Sequence, residues 1–295
     1  MCDPALMSDE QPSRPTDRQI RDYFDELAEA EWERLVRDPA ARASLEVHRR
    51  FLDRFVRPGD RVLEIGAGPG RFTLELVRAG AQVVVTDVSA VQLELNAHYV
   101  AQAGAESGVQ DRRVLDIRDA SQLEPSSFDL VVAYGGPLSY VFEDAEPALA
   151  SLLRVVRPGR EVVASVMSLL GAWRALFELV HQEGEVLGHD AMDEVFRSGD
   201  LRPTQPEGHV CQMYRWSDVQ RLVAAAGGDV VAASASNWAS LSHEPTVEAV
   251  AADAHRWSTF LDQEVAACAE PGALDGGTHL LFAATAGAAQ ATERP

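Results

Sequence analysis

The chain has 295 residues, 46% of them hydrophobic, and a formal charge of −20 from 26 basic against 46 acidic side chains. That length and apolar content suit one α/β domain with added segments. The acidic field repels nucleic acid and anionic membrane surfaces, so a neutral or cationic small molecule is the expected partner. Every basic side chain is arginine, which excludes chemistry built on lysine, such as Schiff bases or the lysine-dependent phosphate loop. Cys2, Cys211 and Cys268 are too scattered for a disulfide framework or a zinc pattern, and no metal site is expected.

Residues 1–17, rich in Pro, Ser and Asp, predict a disordered tail without the basic-then-apolar order of a signal peptide. Residues 18–56 predict two helices. Tyr23, Leu27, Trp32, Leu35 and Val36 make the first apolar stripe, Asp38-Pro39 breaks it, and Leu45, Phe51, Leu52 and Phe55 make the second. Arg57-Pro58-Gly59-Asp60 then turns the chain into a strand at 61–65. A glycine-rich turn, a helix at 72–79, a strand at 82–86 and a helix at 89–103 capped by Ser89 follow. Short and long strands at 113–116 and 128–134, a helix at 145–156 and a strand at 160–167 continue the alternation. It fails from Ser168 to Tyr214, where two helical patterns at 173–187 and 191–198 and a loop at 199–209 predict a cap over a ligand crevice. A helix at 217–226, a strand at 229–234, one long helix at 245–268 and a strand at 278–285 complete the chain. Strands alternating with helices predict an α/β fold, a doubly wound, seven-stranded, mainly parallel sheet of Rossmann-like type. Apolar runs such as 162–173 fall short of the roughly 20 residues that span a bilayer, so a soluble, cytoplasmic protein is expected, with no membrane partner.

The most informative stretch is Glu64-Ile65-Gly66-Ala67-Gly68-Pro69-Gly70, with Asp87 at the tip of the next strand. Glycines let the backbone pass close to a ligand, because a Cβ would collide with it. An acid at that strand tip can accept from both hydroxyls of a ribose. The spacing disfavours a nicotinamide-dependent oxidoreductase. The third glycine comes one residue early, Arg71 stands where a dinucleotide site wants Gly or Ala, and Glu64 would repel a pyrophosphate but attract a cation.

Glu-x-Gly-x-Gly-x-Gly resembles the first motif of class I S-adenosylmethionine-dependent methyltransferases, and the likeness extends from about Arg57 to Thr285. The resemblance implies a sheet whose last strand is antiparallel and inserted between its two predecessors. It implies S-adenosyl-L-methionine as cofactor, held by Glu64, Gly66, Ala67, Gly68 and Gly70 at the turn and by Asp87 and Val88 beside the ribose. Asp116 would accept from the adenine amine and Ile117 would pack on the ring. Tyr134 opens the loop that faces the methyl group, and Tyr23 lies on a helix that lids the cofactor. The organisation implied is a tail at 1–17, covering helices at 18–56, the cofactor core at 57–167, a substrate cap at 168–214, the remaining core at 215–286 and a tail at 287–295.

Asn-Pro-Pro-Tyr and the metal pattern of catechol methyltransferases are absent from the sequence, so a metal-free transfer to an oxygen or nitrogen of a small molecule is expected. Arginine without lysine and abundant alanine associate with bacterial genomes, where such enzymes serve specialised metabolism. A hydroxyl or protonated amine needs a base, and a histidine is the usual one. His209 and His243, in polar segments expected to border the crevice, are the candidates, with Tyr140 orienting a substrate oxygen. A carbon acceptor, a non-catalytic S-adenosylmethionine-binding regulator and a homodimer all remain compatible with these residues.

Overall fold

Each apolar run is too short to bury itself and too apolar to leave a face in water, so the runs pair into one sheet. The computed structural model describes residues 15–205, 207–241 and 244–287. Its strands are β1 (Arg61–Ile65), β2 (Gln82–Asp87), β3 (Val109–Val114), β4 (Leu130–Ala133), β5 (Val162–Met167), β6 (Gly228–Ala235) and β7 (His279–Ala286). They lie in the order β3-β2-β1-β4-β5-β7-β6, and β7 alone runs antiparallel to its neighbours. The reversed strand sits between its two predecessors, as the resemblance implied.

The helices are α1 (Pro15–Leu27), α2 (Glu29–Arg34), α3 (Pro39–Leu52), α4 (Arg71–Arg78), α5 (Ala90–Gln102) and α6 (Ala145–Val155). After β5 come α7 (Leu169–Ala175), α8 (Phe177–Leu187), α9 (His189–Ser198), α10 (Trp216–Ala225), α11 (Glu244–Ala251) and α12 (Ala254–Cys268). Side chains alternate across the sheet and build two cores. Leu63, Val131 and Phe282 pack with Leu149, Leu152 and Val223 on one face. Val62, Leu130 and Val132 pack with Phe51, Leu76 and Leu93 on the other.

Several boundaries differ from the sequence reading. Ala28 takes a left-handed φ of 41°, which splits the first stripe into α1 and α2. Asp38 caps α3 by accepting from Ala41 N. The strand expected at 113–116 begins at Val109; β3 is a polar edge strand, so its hydrogen bonds to β2 define it and not an apolar pattern. The cap holds three helices where two were expected. The single helix expected at 245–268 is interrupted at Asp253, whose side chain caps α12. Pro15 to Asp17 open α1, whereas 1–14 and 288–295 lie outside the described residues.

β1 leads to β2 on one side and β4 lies on its other, so their carboxyl ends part and leave a crevice at the sheet edge. A buried chain underlies the glycine turn there. Thr73 Oγ1 donates to Glu64 (2.6 Å) and accepts from Asn96 Nδ2 (2.9 Å), while Asn96 Oδ1 accepts from Arg112 Nε (2.9 Å). The loop after β6 is held from outside. Glu264 on α12, 2% exposed, accepts from the backbone amides of Trp238, Ala239 and Ser240 and from the Ser240 hydroxyl.

Two outcomes are expected. Glu264→Ala strands these donors and should lower the unfolding free energy by on the order of 3 kcal/mol; a urea midpoint equal to the parent's would mean the loop is held otherwise. Burial above all raises the Glu64 carboxyl from 4.5 to about 8, Asp87 adding to the rise and the Thr73 hydrogen bond opposing it. The folded state therefore binds the extra proton, and this contribution fades as pH rises from the unfolded value through about 8. Glu64→Gln should gain in melting temperature relative to the parent between about pH 5 and about pH 8.5. A constant difference across that range would show that Glu64 is already ionised.

Candidate active site

A cavity of about 840 Å³, its open mouth included, lies at the parting of β1 and β4. Its floor is the glycine turn. Gly66 has φ 66°, and a Cβ there would lie 2.6 Å from Pro137 Cγ, so only glycine lets the turn and the loop after β4 approach. Gly68 has φ 52°, and a Cβ there would meet nothing within 4 Å. Bare backbone therefore faces open space.

Asp87, 7% exposed, closes one side. Its two oxygens accept from Gly68 N (2.8 Å) and Ser89 N (2.9 Å). Burial raises its pKa to about 6 against the pull of these amides, and the Glu31 charge adds to the rise. Gln92, in the first turn of α5, gives its Nε2 to Phe24 O (2.7 Å), and its buried Oε1 has no partner among the described residues. Ile20 and Phe24 of α1 cover the opposite side.

Of the residues singled out from the sequence, Gly66, Gly68, Asp87, Val88, Asp116, Ile117 and Tyr140 line this cavity together. Asp116 is not free as expected, because Arg118 binds it through Nε (3.0 Å) and Nη2 (2.6 Å) as well as its amide. Four others lie off the wall. Glu64 is buried beneath the turn, bonded to Thr73. Gly70 packs on α5, where a Cβ would lie 2.9 Å from Asn96 Nδ2, and Ala67 belongs to the core on the Val62 face. Tyr134 follows the alternation of Leu130 and Val132 to that same face, and its hydroxyl donates to His48 O (3.3 Å).

Tyr23 also misses the cavity and instead borders a surface groove with Glu207 and Gly208, its ring 5.1 Å from that of His209. Two of the three catalytic candidates do meet, with Tyr140 Oη 3.0 Å from His209 Nε2. Burial lowers the pKa of His209, with Arg34 adding to the shift. His243 lies outside the described residues. No described residue of the 168–214 segment lines this cavity or the one beside it. Among the described residues no cluster of His, Cys, Asp and Glu could hold a metal ion, and no helix is long and apolar enough to cross a membrane.

Gly135 is common to the first cavity and to a second, whose polar wall is Arg34, Ser44, His48, Asn237, Thr278 and His279. The Gly135 amide is held by Ser165 Oγ (3.1 Å), and a Cβ at this φ of 80° would meet nothing within 4 Å. A two-bonded ion pair, Arg34 with Glu31 at 2.7 Å in each bond, stands between the cavities, Glu31 lining the first and Arg34 the second. This chamber has no signature in the sequence, because its residues come from α2, the turn after it, α3, α4, the loop after β6 and β7, which only the fold brings together. Gln92 was within reach: a polar side chain in the helical turn just after Asp87 faces the same crevice.

Residues 62–159 match the model of a family described as a methyltransferase domain. The ubiquinone biosynthesis O-methyltransferase of Hahella chejuensis is 33% identical over 120 residues, 40% of this chain and 48% of that protein. The protein of the same name from Xanthomonas euvesicatoria pv. vesicatoria is 30% identical over 119 residues, 40% of this chain and 47% of its own length. The chain thus spans about half the length of the curated relatives it matches. A chain from the solved complex containing the Haloferax volcanii Trm112 methyltransferase activator shares the fold, with TM-score 0.56 and 16% identity over 91% of this chain and 97% of that one. The matched segment is the one that folds into the glycine turn and most of the parallel half of the sheet, and over that segment the chain is similar to methyltransferase domains.

Proposed function

We propose that the chain transfers the methyl group of S-adenosylmethionine to an oxygen of a small molecule, acting in the cytoplasm. The observation that carries this reading is the cavity floored by bare glycine backbone, which shares Gly135 with a neighbouring cavity lined by hydrogen-bonding side chains. The residues present fit the cofactor. Gln92 Oε1 is a buried acceptor awaiting a donor, and the Gly66–Gly68 edge is a cradle that side chains would fill. Asp87 keeps lone pairs for the ribose hydroxyls beyond those given to Gly68 and Ser89, while Leu115 and Ile117 offer apolar surface to the adenine.

When bound, the cofactor supplies a methyl group already activated by positive sulfur, so the protein needs chiefly to align the reactants and exclude water. The α1 side chains Ile20 and Phe24 serve exclusion. The printed names of the two relatives, both O-methyltransferases, favour oxygen over nitrogen. The formal charge of −20 favours an uncharged metabolite over nucleic acid. A role in specialised metabolism fits the composition, and the 168–214 segment would then serve as an outer cover.

Titration calorimetry should show S-adenosylhomocysteine binding without competition from NAD, and labelled S-adenosylmethionine should pass its methyl group to a metabolite extract. Asp87→Asn should weaken cofactor binding by about 1.5–3 kcal/mol, on the order of tenfold to a hundredfold. Because an ionised Asp87 accepts the ribose hydroxyls more strongly than a protonated one, affinity in the parent should fall as pH drops through about 6. That dependence should vanish in the variant. Parent and variant binding alike would mean that the ribose sits elsewhere.

A further inference from the structure

We propose that the second cavity receives the methyl acceptor, an aromatic hydroxyl compound, and that His48 takes the hydroxyl proton at Nε2. The proposal rests on the methyl-transfer reading above and adds to it the acceptor's place, its class and the base.

The topology brings the chamber to the reacting edge. Because β7 runs antiparallel, its first residue, His279, pairs with Met167 at the carboxyl end of β5. The loop after β6 brings Asn237 to the same edge, and α3 lays Ser44 and His48 across it. Gly135 lines both this cavity and the one floored by the glycine turn, and a Cβ at that position would meet nothing within 4 Å.

His48 is built as a proton acceptor. Its Nδ1 lies 2.8 Å from Ser44 O, and a carbonyl oxygen can only accept, so Nδ1 carries the hydrogen and the neutral ring's lone pair is on Nε2. The ring is 4% exposed and packed edge-on to Tyr134 (5.0 Å between centroids) and against Phe72 (5.6 Å), which fixes its aim. The ionisable groups around it are His279 of β7 (ring 6.1 Å away), Tyr134 at the end of β4 and Arg34 of α2. Burial, with Arg34 adding, lowers the His48 pKa to about 4, although the Ser44 hydrogen bond opposes the shift. His279 is lowered well below its ordinary value by burial, by His48 and by Arg34. His209 is not equivalent: its Nε2 is engaged by Tyr140, and it lines neither cavity.

Three features select the acceptor. So weak a base suits an acidic hydroxyl, of the phenol or enol kind with a pKa near 10, and not an alkyl alcohol, whose proton is held far more tightly. The two arginines that border the chamber are paired, Arg34 with Glu31 and Arg37 with Asp38, so the balanced charges favour a neutral hydroxyl compound over an ammonium ion. Leu35, Phe72 and Leu241 form an apolar wall that matches an aromatic ring. In the reaction the acceptor oxygen gives its proton to Nε2 and an electron pair to the methyl carbon, whose bond to sulfur breaks with the pair left on sulfur. The imidazolium then returns its proton to water.

The test uses catechol as probe on protein with 15N-labelled histidines, saturated with S-adenosylhomocysteine. Catechol should shift the His48 and His279 ring signals of the parent. In His48→Gln the response to catechol should weaken, labelled methyl transfer to catechol should fall roughly 10²–10⁴-fold, and S-adenosylhomocysteine affinity should stay within about twofold. If S-adenosylhomocysteine binds but catechol leaves both ring signals unmoved, or moves only His209, the acceptor assignment is overturned while the methyl-transfer reading stands. Transfer unchanged in His48→Gln would overturn the role of the base. Absence of S-adenosylhomocysteine binding would overturn the underlying reading itself.

Discussion

The hydrogen bond from the Gly68 amide to Asp87 is the contact on which the site depends. It ties the loop after β1 to the tip of β2, and the same carboxylate accepts from Ser89 N, so it also sets where α5 begins. Ser89 in turn caps α5 by accepting from Gln92 N and donates its hydroxyl to Asp25 of α1. One buried acid thus fixes the floor of the cavity, the helix that supplies Gln92 and the helix that covers them. Nothing in this chain of contacts is long-range in sequence except its last link, and that link is where the enclosing wall joins.

This explains which parts of the site were legible in the sequence. Gly66, Gly68, Asp87 and Ile117 are read from local spacing, because a turn, a strand tip and a helix cap are each decided within a few residues. Tyr134 and Glu64 were misplaced for a related reason. Their positions along the chain suggest the crevice, but the strand period sends the first to the α3 face, and burial leaves the second supporting the turn from below. The second cavity was illegible altogether. His48 is one residue on an amphipathic helix, and His279 opens a strand some 230 residues later; only the reversed insertion of β7 brings them to one edge.

The cap shows the limit of fold-level expectation. The sequence reading assigned acceptor selection to the segment from Ser168 to Tyr214, yet neither cavity takes a wall from its described residues. The segment backs the site instead of lining it: His209 braces Tyr140 through a hydrogen bond, and Val210 packs with Ile20, Phe24 and Tyr140. The N-terminal helices take the larger share, α1 over the first cavity and α2 and α3 around the second. The two acids and the arginine at their meeting, Glu31, Asp38 and Arg34, are bonded within that segment and carry little information about the sheet.

The covering position of α1 has a kinetic meaning. A ligand walled in by Ile20 and Phe24 leaves no faster than that helix lifts, and lifting it breaks the Asp25–Ser89 and Phe24–Gln92 bonds together. The residence time of the spent cofactor is then set by how firmly thirteen residues at the start of the fold are docked. On the reading proposed above, affinity for the nucleoside and speed of turnover would be separately adjustable, the first at Asp87 and the second along α1.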